Sequence, residues 1–169
     1  MIEYMFEESE TAARSLVDRI CGSSRDENRA AAQKLVSVGD LYLLRQREFG
    51  DCAAWSTDTT EAVTAEVAAA LRISQGLAAS HLYYARAMRE KLPQVATVFV
   101  AGDIDYLMYQ TLVYRTALIT DAEVLTSVDA ELAVKVPRWP SLSRGQISGR
   151  VDRIVARHDR DAVRRRKER

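Results

Sequence analysis

The chain has 169 residues, of which 47% are hydrophobic and 28% are charged, and its formal net charge is zero. This length and composition predict one globular domain, or one domain with a tail, and argue against a disordered chain. No apolar run approaches the ~20 residues that a membrane span needs. The first residues, MIEYMFEESE, are acidic where a secretory signal is basic, so we expect a cytoplasmic protein.

The zero net charge conceals an uneven distribution. Residues 138–169 hold 11 Lys and Arg against 4 Asp and Glu, a net charge of +7. Residues 1–137 hold 13 against 20, a net charge of −7. A basic end of this kind is typical of a segment that contacts nucleic acid or another acidic surface. It is equally typical of a solvated, charged helix end, so composition alone leaves both interpretations open.

Helix signals begin in TAARSLVDRICG, where Leu16, Val17 and Ile20 share one face. Cys21 sits on that apolar face and is predicted to be a buried thiol. Gly22 favours a helix end, and Ser24 with Glu27 forms a capping box that opens a second helix. The second helix runs through AAAQKLVSVGDLYLLRQREF, with Gly39 as a weak point and Gly50 as its end. Its predicted buried side consists of Leu35, Val38, either Leu41 or Tyr42, and Phe49.

The segment GDCAAWSTDT reads as a loop, which Trp55 would attach to the core; Cys52 has no assigned role. A third helix, EAVTAEVAAALR, begins near residues 58–60. Ser74 is a good cap for the fourth helix, SQGLAASHLYYARAMREKL. Pro93 suits the first position of a short fifth helix, PQVATVFVAG, although its β-branched residues leave a strand open.

Asp103 is predicted to cap a sixth helix, DYLMYQTLVYRTAL, and Thr120 with Glu123 to open a seventh, AEVLTSVDAELAV. The two prolines of VPRWPS predict an extended hinge. Ser143 with Gln146 then caps a last helix that runs to the end of the chain. No β-hairpin or repeat is visible, so we predict an all-α domain of about seven or eight helices. Residues 1–137 would form the helical domain, and residues 138–169 the Pro-containing hinge and a long basic helix.

Residues 66–86, beginning EVAAALRISQGLAASHL, have the pattern of a helix-turn-helix. Its predicted packing residues are Val67, Ala68, Leu71, Ile73, Ala78 and Leu82, and its outward residues are Gln75, Gly76, Ala79, Ser80 and Tyr83. The candidate DNA contacts are Arg72, Gln75 to an adenine edge, Ser80 to a phosphate, and Arg86. Arg72 takes the turn position usually filled by glycine, and the outward face of the second helix carries no cation before Arg86. An αα-hairpin used only for packing has the same pattern and is commoner.

The last predicted helix carries an apolar stripe beside a basic face. The stripe consists of Val151, Ile154, Val155, His158 and Val163. The candidate phosphate contacts are Arg150, Arg153, Arg157, Arg160, Arg164, Arg165, Arg166 and Lys167. Such cations neutralise phosphates and release counterions, which gives salt-sensitive affinity without sequence preference. The alternative is a solvated helix end at which Asp159, Asp161 and Glu168 partly offset the charge.

Catalytic signals are missing from the sequence. His81 and His158 are the two histidines, and no zinc-protease, phosphate-loop or serine-hydrolase motif is present. Asp103 with Asp105 lies in no recognisable motif. We therefore expect neither enzyme activity nor a metal or cofactor site. The tyrosine pairs at 83–84 and 106–109 favour core packing over base stacking.

Three long strings together resemble a known family: EKLPQVATVFVAGDIDYLMYQTLVYRT, LVDRICGSSRDENRAAAQKLVSVGDLYLLRQ and DCAAWSTDTTEAVTAEVAAALRISQGLAASHLYYARAM. They resemble the actinobacterial domain of unknown function numbered 222, and specifically the mycobacterial 13E12 repeat family. The resemblance extends from about Ala13 to the C-terminus.

In that family the helical region precedes an HNH nuclease module, and members recur as repeated copies associated with mobile elements. The resemblance therefore implies a non-catalytic accessory domain that assists DNA binding. An HNH site needs a histidine base and further ligands around one metal ion, and neither His81 nor His158 matches such a motif. The expectation is a copy truncated before the HNH module. The alternative is a structural or protein-interaction domain, self-associating or with an unknown partner, or an inactive gene remnant.

Overall fold

The computed structural model describes residues 2–50 and 58–159, with side chains from residue 10 to 48 and from 58 onward. These residues form seven α-helices and one short 3-10 helix and contain no strand, which confirms the predicted all-α class. The α-helices are α1 (Ile2–Gly50), α2 (Thr59–Leu71), α3 (Gln75–Glu90), α4 (Pro93–Val100), α5 (Tyr106–Thr116), α6 (Ala122–Lys135) and α7 (Arg144–His158). The predicted loop with Cys52 and Trp55 lies outside the described residues, as does the side chain of Phe49.

The first helix is continuous where the sequence predicts two helices. Gly22 does not end it, and Ser24 with Glu27 forms no capping box, because both lie within a regular helix. A single glycine costs a helix only about 1 kcal/mol relative to alanine. Contacts just beyond this point hold the backbone in place: Arg25 pairs with Asp103 at 2.6 Å, and Arg29 Nε donates to the Ala101 carbonyl at 3.1 Å.

The N-terminal part of α1 extends away from the core, and every side chain from residue 10 to 27 is exposed. Leu16, Val17 and Ile20 are 50%, 55% and 67% exposed. Cys21 is exposed as well, so the prediction of a buried thiol is wrong. The apolar stripe is present in the sequence, but no helix of the described chain packs on this part of α1.

The core begins further along α1. Leu35, Val38 and Tyr42 are buried, which confirms this side of the predicted helix and selects Tyr42 over the partly buried Leu41. Here α1 packs on α2, α3 and α4, while α6 packs on α4 and α7, and α7 packs on α5. Phe99 and Tyr109 stack at the centre with ring centroids 4.8 Å apart.

Helix caps confirm most of the predicted starts. Ser74 caps α3, Pro93 begins α4 as a helix, and Ser143 with Gln146 forms the predicted capping box of α7. Two predicted caps are wrong by one or two residues. Asp105, not Asp103, accepts the Met108 amide of α5 at 2.6 Å. Asp121, not Thr120, caps α6.

The start of α4 is capped from another helix. Its own N-cap residue, Leu92, has no side chain that can accept a hydrogen bond. The buried Asp129 of α6 accepts the amides of Gln94 at 2.8 Å and Val95 at 2.9 Å instead. One carboxylate thus satisfies two donors that a helix N-terminus leaves unpaired, and it joins α4 to α6.

The predicted hinge is only partly extended. Val136–Arg138 forms a 3-10 helix, because the fixed φ of Pro137 suits that conformation as well as an extended one. The backbone becomes extended at Trp139. The basic helix is shorter than predicted: α7 ends at His158, and Asp159 has extended dihedral angles.

Candidate nucleic-acid interface

The α2–α3 hairpin has the tight turn that a helix-turn-helix requires. Arg72 ends α2 with φ 54° and ψ 45°, the left-handed conformation that glycine adopts most easily. The Ile73 amide donates to the Ala68 carbonyl at 3.1 Å, and Ser74 Oγ accepts the Leu77 amide at 3.3 Å. The sequence therefore identified the turn correctly, with Arg72 in the position that favours glycine.

The outward face of α3 carries few side chains that are available to contact DNA bases. Ala78 and Leu82 are buried as predicted, and Gln75 is exposed. Ser80 Oγ, however, donates to the Gly76 carbonyl at 2.9 Å. Arg86 binds Glu90 at 2.9 Å and lies 5.1 Å from the centre of the Tyr42 ring. Of the four predicted contacts here, Ser80 and Arg86 are engaged within the fold, and Arg72 and Gln75 are exposed.

The basic face of α7 rests on a well-anchored helix. Its buried residues are Ile147, Val151, Ile154 and Val155. Asp152 forms an ion pair with Arg115 of α5 at 3.2 Å. Because the buried residues share one side of α7, Arg150, Arg153 and Arg157 follow one another at helical spacing beside them.

These three arginines meet residues from the preceding elements at a shallow cleft of about 270 Å³. The cleft is lined by Lys135, Trp139, Arg150, Arg153, Ile154 and Arg157. Among the described residues, no carboxylate lines it. Sequence reasoning did not select Lys135 and Trp139. The sequence feature that could have indicated them is Trp139, which lies between Pro137 and Pro140 shortly before the basic helix.

Two of the arginines have no carboxylate partner among the described residues. The Arg150 guanidinium lies 5.7 Å from the centre of the Trp139 ring, within the range of a cation–π interaction. Arg153 Nε donates to the Gly149 carbonyl of its own helix at 3.2 Å. Both guanidinium groups therefore retain donors for an anion, since each has five N–H groups.

Glu131 of α6 neutralises part of the cleft. Its carboxylate accepts from Lys135 at 2.5 Å and from Arg157, and it lies 2.7 Å from Nε2 of His158. Of the predicted apolar stripe, Val151, Ile154 and Val155 are buried, whereas His158 is exposed. Burial alone would raise the pKa of Glu131, but hydrogen bonds from Lys135 and His158 and the charge of Arg157 lower it to about 2. In the described part of the chain, four cations thus line the cleft beside one carboxylate.

The cleft and the outward face of α3 belong to different packing groups. The α7 helix packs on α5 and α6, whereas α3 packs mainly on α1, α2 and α4. The other predicted phosphate contacts, Arg160, Arg164, Arg165, Arg166 and Lys167, lie outside the described residues and stay predictions, as does Val163. The structure therefore brings together Arg150, Arg153 and Arg157, and it adds Lys135 and Trp139 to them.

Tyr84, Tyr106, Tyr109 and His81 belong to the core or its edge. Tyr109 is fully buried and donates to the Tyr84 carbonyl at 3.1 Å. His81 Nδ1 lies 3.0 Å from the Tyr106 hydroxyl. Burial and the charge of Lys34 lower the pKa of His81.

Within the described ranges, no group of three His, Cys, Asp or Glu is arranged to hold a metal ion. None of the helices described is long and apolar enough to cross a membrane.

Similar proteins come from Mycobacterium tuberculosis. The chain is 34% identical to uncharacterized protein Rv2100 and 32% identical to uncharacterized protein Rv3776, in each case over 89% of its own length. It spans 27% and 29% of those two relatives, and 43% of an uncharacterized protein encoded in the est 3' region, to which it is 32% identical. No solved structure matches the chain. Residues 23–169 match the model of the family described as "Domain of unknown function (DUF222)", and the chain therefore belongs to this family.

Proposed function

We propose that this domain is a non-catalytic accessory module that helps a larger, nuclease-type protein to engage DNA. The observation that carries the proposal is the cleft in which Arg150 and Arg153 have no carboxylate partner among the described residues. The resemblance to the 13E12 repeat family, whose members carry an HNH module, supplies the nuclease context. The relatives are about two to three times as long as this chain, which leaves room for such a module in them.

The charges of the cleft support contact with phosphates. Lys135, Arg150, Arg153 and Arg157 converge from two elements, and Glu131 offsets one of these charges. Phosphate contacts of this kind give affinity without sequence readout. The α2–α3 hairpin is the weaker candidate, because its Arg86 and Ser80 are engaged elsewhere and Gln75 alone offers an amide to base edges.

The test is binding of a labelled DNA duplex by the purified chain across a salt series. Replacing both Arg150 and Arg153 by Ala should weaken binding at low salt. Each lost phosphate contact lowers the slope of log affinity against log salt by about 0.9. We therefore expect the slope to fall by roughly 2. A chain ending at Val163 tests residues 164–167 in the same assay.

The matched control replaces Arg19 and Arg47, two exposed arginines of α1, by Ala. It removes the same charge at a distance from the cleft, so its salt slope should stay within error of the wild-type slope. Equal losses in the two double variants would show that net charge, and not the cleft, governs binding. If neither the duplex nor a single strand of the same sequence bound at low salt, the proposal would be contradicted outright.

A second candidate function, self-association, is favoured by the exposed apolar face of α1. Leu16, Val17 and Ile20 follow the three- and four-residue spacing of a helix-pairing seam. We propose a second copy of this chain as the occupant. The charges beside the seam, Glu10, Arg14, Asp18 and Arg19, cancel, so two such segments do not repel each other. Most helical stability in proteins comes from packing of an apolar face, so pairing would stabilise this exposed part of α1.

Light scattering behind a sizing column measures this self-association. The wild-type chain should elute as a dimer, and replacing Leu16 and Ile20 by Glu should give a monomer. Leu107 and Val134 are exposed apolar residues of α5 and α6, and their replacement by Glu is the matched control. A wild-type chain that is monomeric at high concentration would contradict this second proposal and leave the DNA proposal untouched.

A further inference from the structure

The cleft beside Trp139 combines charge with an aromatic wall. Its lining contains four cations, one indole ring and the aliphatic Ile154, which is buried. A site that bound only the outer phosphates of a duplex would need the cations alone. The volume of about 270 Å³ lies just below the ~300–1,000 Å³ typical of drug-sized ligand sites. Its size and lining suit a planar ring attached to a phosphate.

We propose that this cleft takes one unstacked nucleotide of a single-stranded nucleic acid. The inference rests on the proposed DNA-binding function and names the form of nucleic acid that the site prefers. In a duplex the base faces are stacked and their edges paired, so a base cannot enter a side-chain cleft without being extruded. In a single strand the bases are free to stack on aromatic rings or on guanidinium planes.

The arrangement of Arg150 and Trp139 provides the stacking platform. The guanidinium group lies 5.7 Å from the ring centre, and both groups line the cleft. Arginine stacks on aromatic groups through its planar guanidinium, which lysine lacks. A base entering the cleft packs against this pair, and Arg153 is positioned on the same helix to bind the adjoining phosphate.

The neighbouring residues restrict how the nucleotide is held. Lys135 and Arg157 both form ion pairs with Glu131, so their charge is already partly neutralised. Arg150 and Arg153 are the groups left for the ligand among the described residues. One base on the platform and one phosphate on Arg153 match a single nucleotide unit, and the strand continues past the cleft on either side.

The experiment compares a labelled oligothymidylate with a duplex of equal length, using the full chain. Trp55→Phe is the background, because it leaves Trp139 as the one tryptophan that fluoresces. We expect tighter binding of the single strand and quenching of Trp139 emission as the strand is added. Stacking of one base contributes 1–3 kcal/mol, so Trp139→Leu should weaken single-strand binding by about 5-fold or more. Its effect on the duplex should be smaller.

Two conservative variants distinguish the loss of a specific contact from a loss of folding. Trp139→Phe retains an aromatic ring and should recover most of the single-strand affinity. Arg150→Lys keeps the charge but lacks the planar guanidinium group, so it should weaken binding of the single strand more than binding of the duplex. Helical circular dichroism reports whether each variant is folded.

The outcomes separate the two proposals. Salt-sensitive duplex binding, with no preference for the single strand and no change in Trp139 emission, overturns this inference while the DNA-binding function stands. Equal losses for both nucleic acids in Trp139→Leu overturn it as well. If neither nucleic acid binds, the proposed function and this inference fail together.

Discussion

Asp129 offers the sharpest test of how this fold is held together. Its carboxylate, on α6, accepts the amides of Gln94 and Val95 at the start of α4. The carboxylate is buried, and Leu92 offers no alternative cap. Replacing Asp129 by Ala removes both hydrogen bonds together and leaves a buried donor at Val95 without an acceptor.

The cost follows from the two donors. Loss of an N-cap side chain costs about 0.5–2 kcal/mol, and a buried donor left unsatisfied costs about 1–3 kcal/mol. We expect Asp129→Ala to lower the free energy of unfolding by about 3 kcal/mol. In a domain of this size, each kcal/mol shifts Tm by about 2–4 °C, so Tm should fall by roughly 6–12 °C.

Thermal and urea unfolding, followed by circular dichroism, measure this loss. Asp121→Ala is the control, because Asp121 caps α6 at an exposed position and its loss should cost about 1 kcal/mol. Asp129→Asn keeps one acceptor oxygen and should fall between the two. If Asp129→Ala costs no more than Asp121→Ala, the cross-helix cap contributes nothing beyond an ordinary one, and the reasoning is refuted.

Three further predictions concern other parts of the chain. Gly102 has φ +83°, and a Cβ there would lie 2.6 Å from the Arg25 carbonyl oxygen, so Gly102→Ala should lower the free energy of unfolding by about 2 kcal/mol or more, as measured in urea. Arg72→Gly should raise the same quantity by up to about 1 kcal/mol, because glycine adopts the left-handed conformation without strain; a decrease would contradict this. Glu131 has its pKa lowered from 4.5 to about 2 in the folded state, so its stabilising effect is fully present above pH 4.5 and is lost as the pH falls towards 2. Glu131→Gln should therefore destabilise the domain at pH 7 and have little effect near pH 2, and a pH-independent difference between the two proteins would refute this.

The helices of the body were predictable because their signals are local. Ser74 and Ser143 cap helices as their sequences indicate, and the turn at Arg72 falls where the hairpin pattern places it. The predictions at Asp103 and Thr120 failed by one or two residues, because several neighbouring side chains can each cap a helix. Tertiary contacts then select one of them, as the pairing of Arg25 with Asp103 illustrates.

The rest of the fold and of the cleft depends on which helix surfaces pack against each other, and the periodicity of the sequence does not specify this. The apolar face at Leu16 and Ile20 predicts burial, yet no described helix covers it. The continuity of α1 through Gly22 likewise depends on contacts made further along the helix. At the cleft, the spacing within α7 identified the arginines, whereas Lys135 and Trp139 join them only through the packing of α6 and the 3-10 helix.

The central claim is that nucleic acid binds at the cleft of α7, and NMR titration tests it most directly. Single-stranded DNA is added to the isotope-labelled chain, and the amide, arginine Nε and indole signals are followed. We predict that the largest shifts fall on residues 135–157, with the Trp139 indole and the Arg150 and Arg153 side chains among them. Shifts concentrated instead around Gln75 on α3, or no shifts at low salt, would contradict the claim.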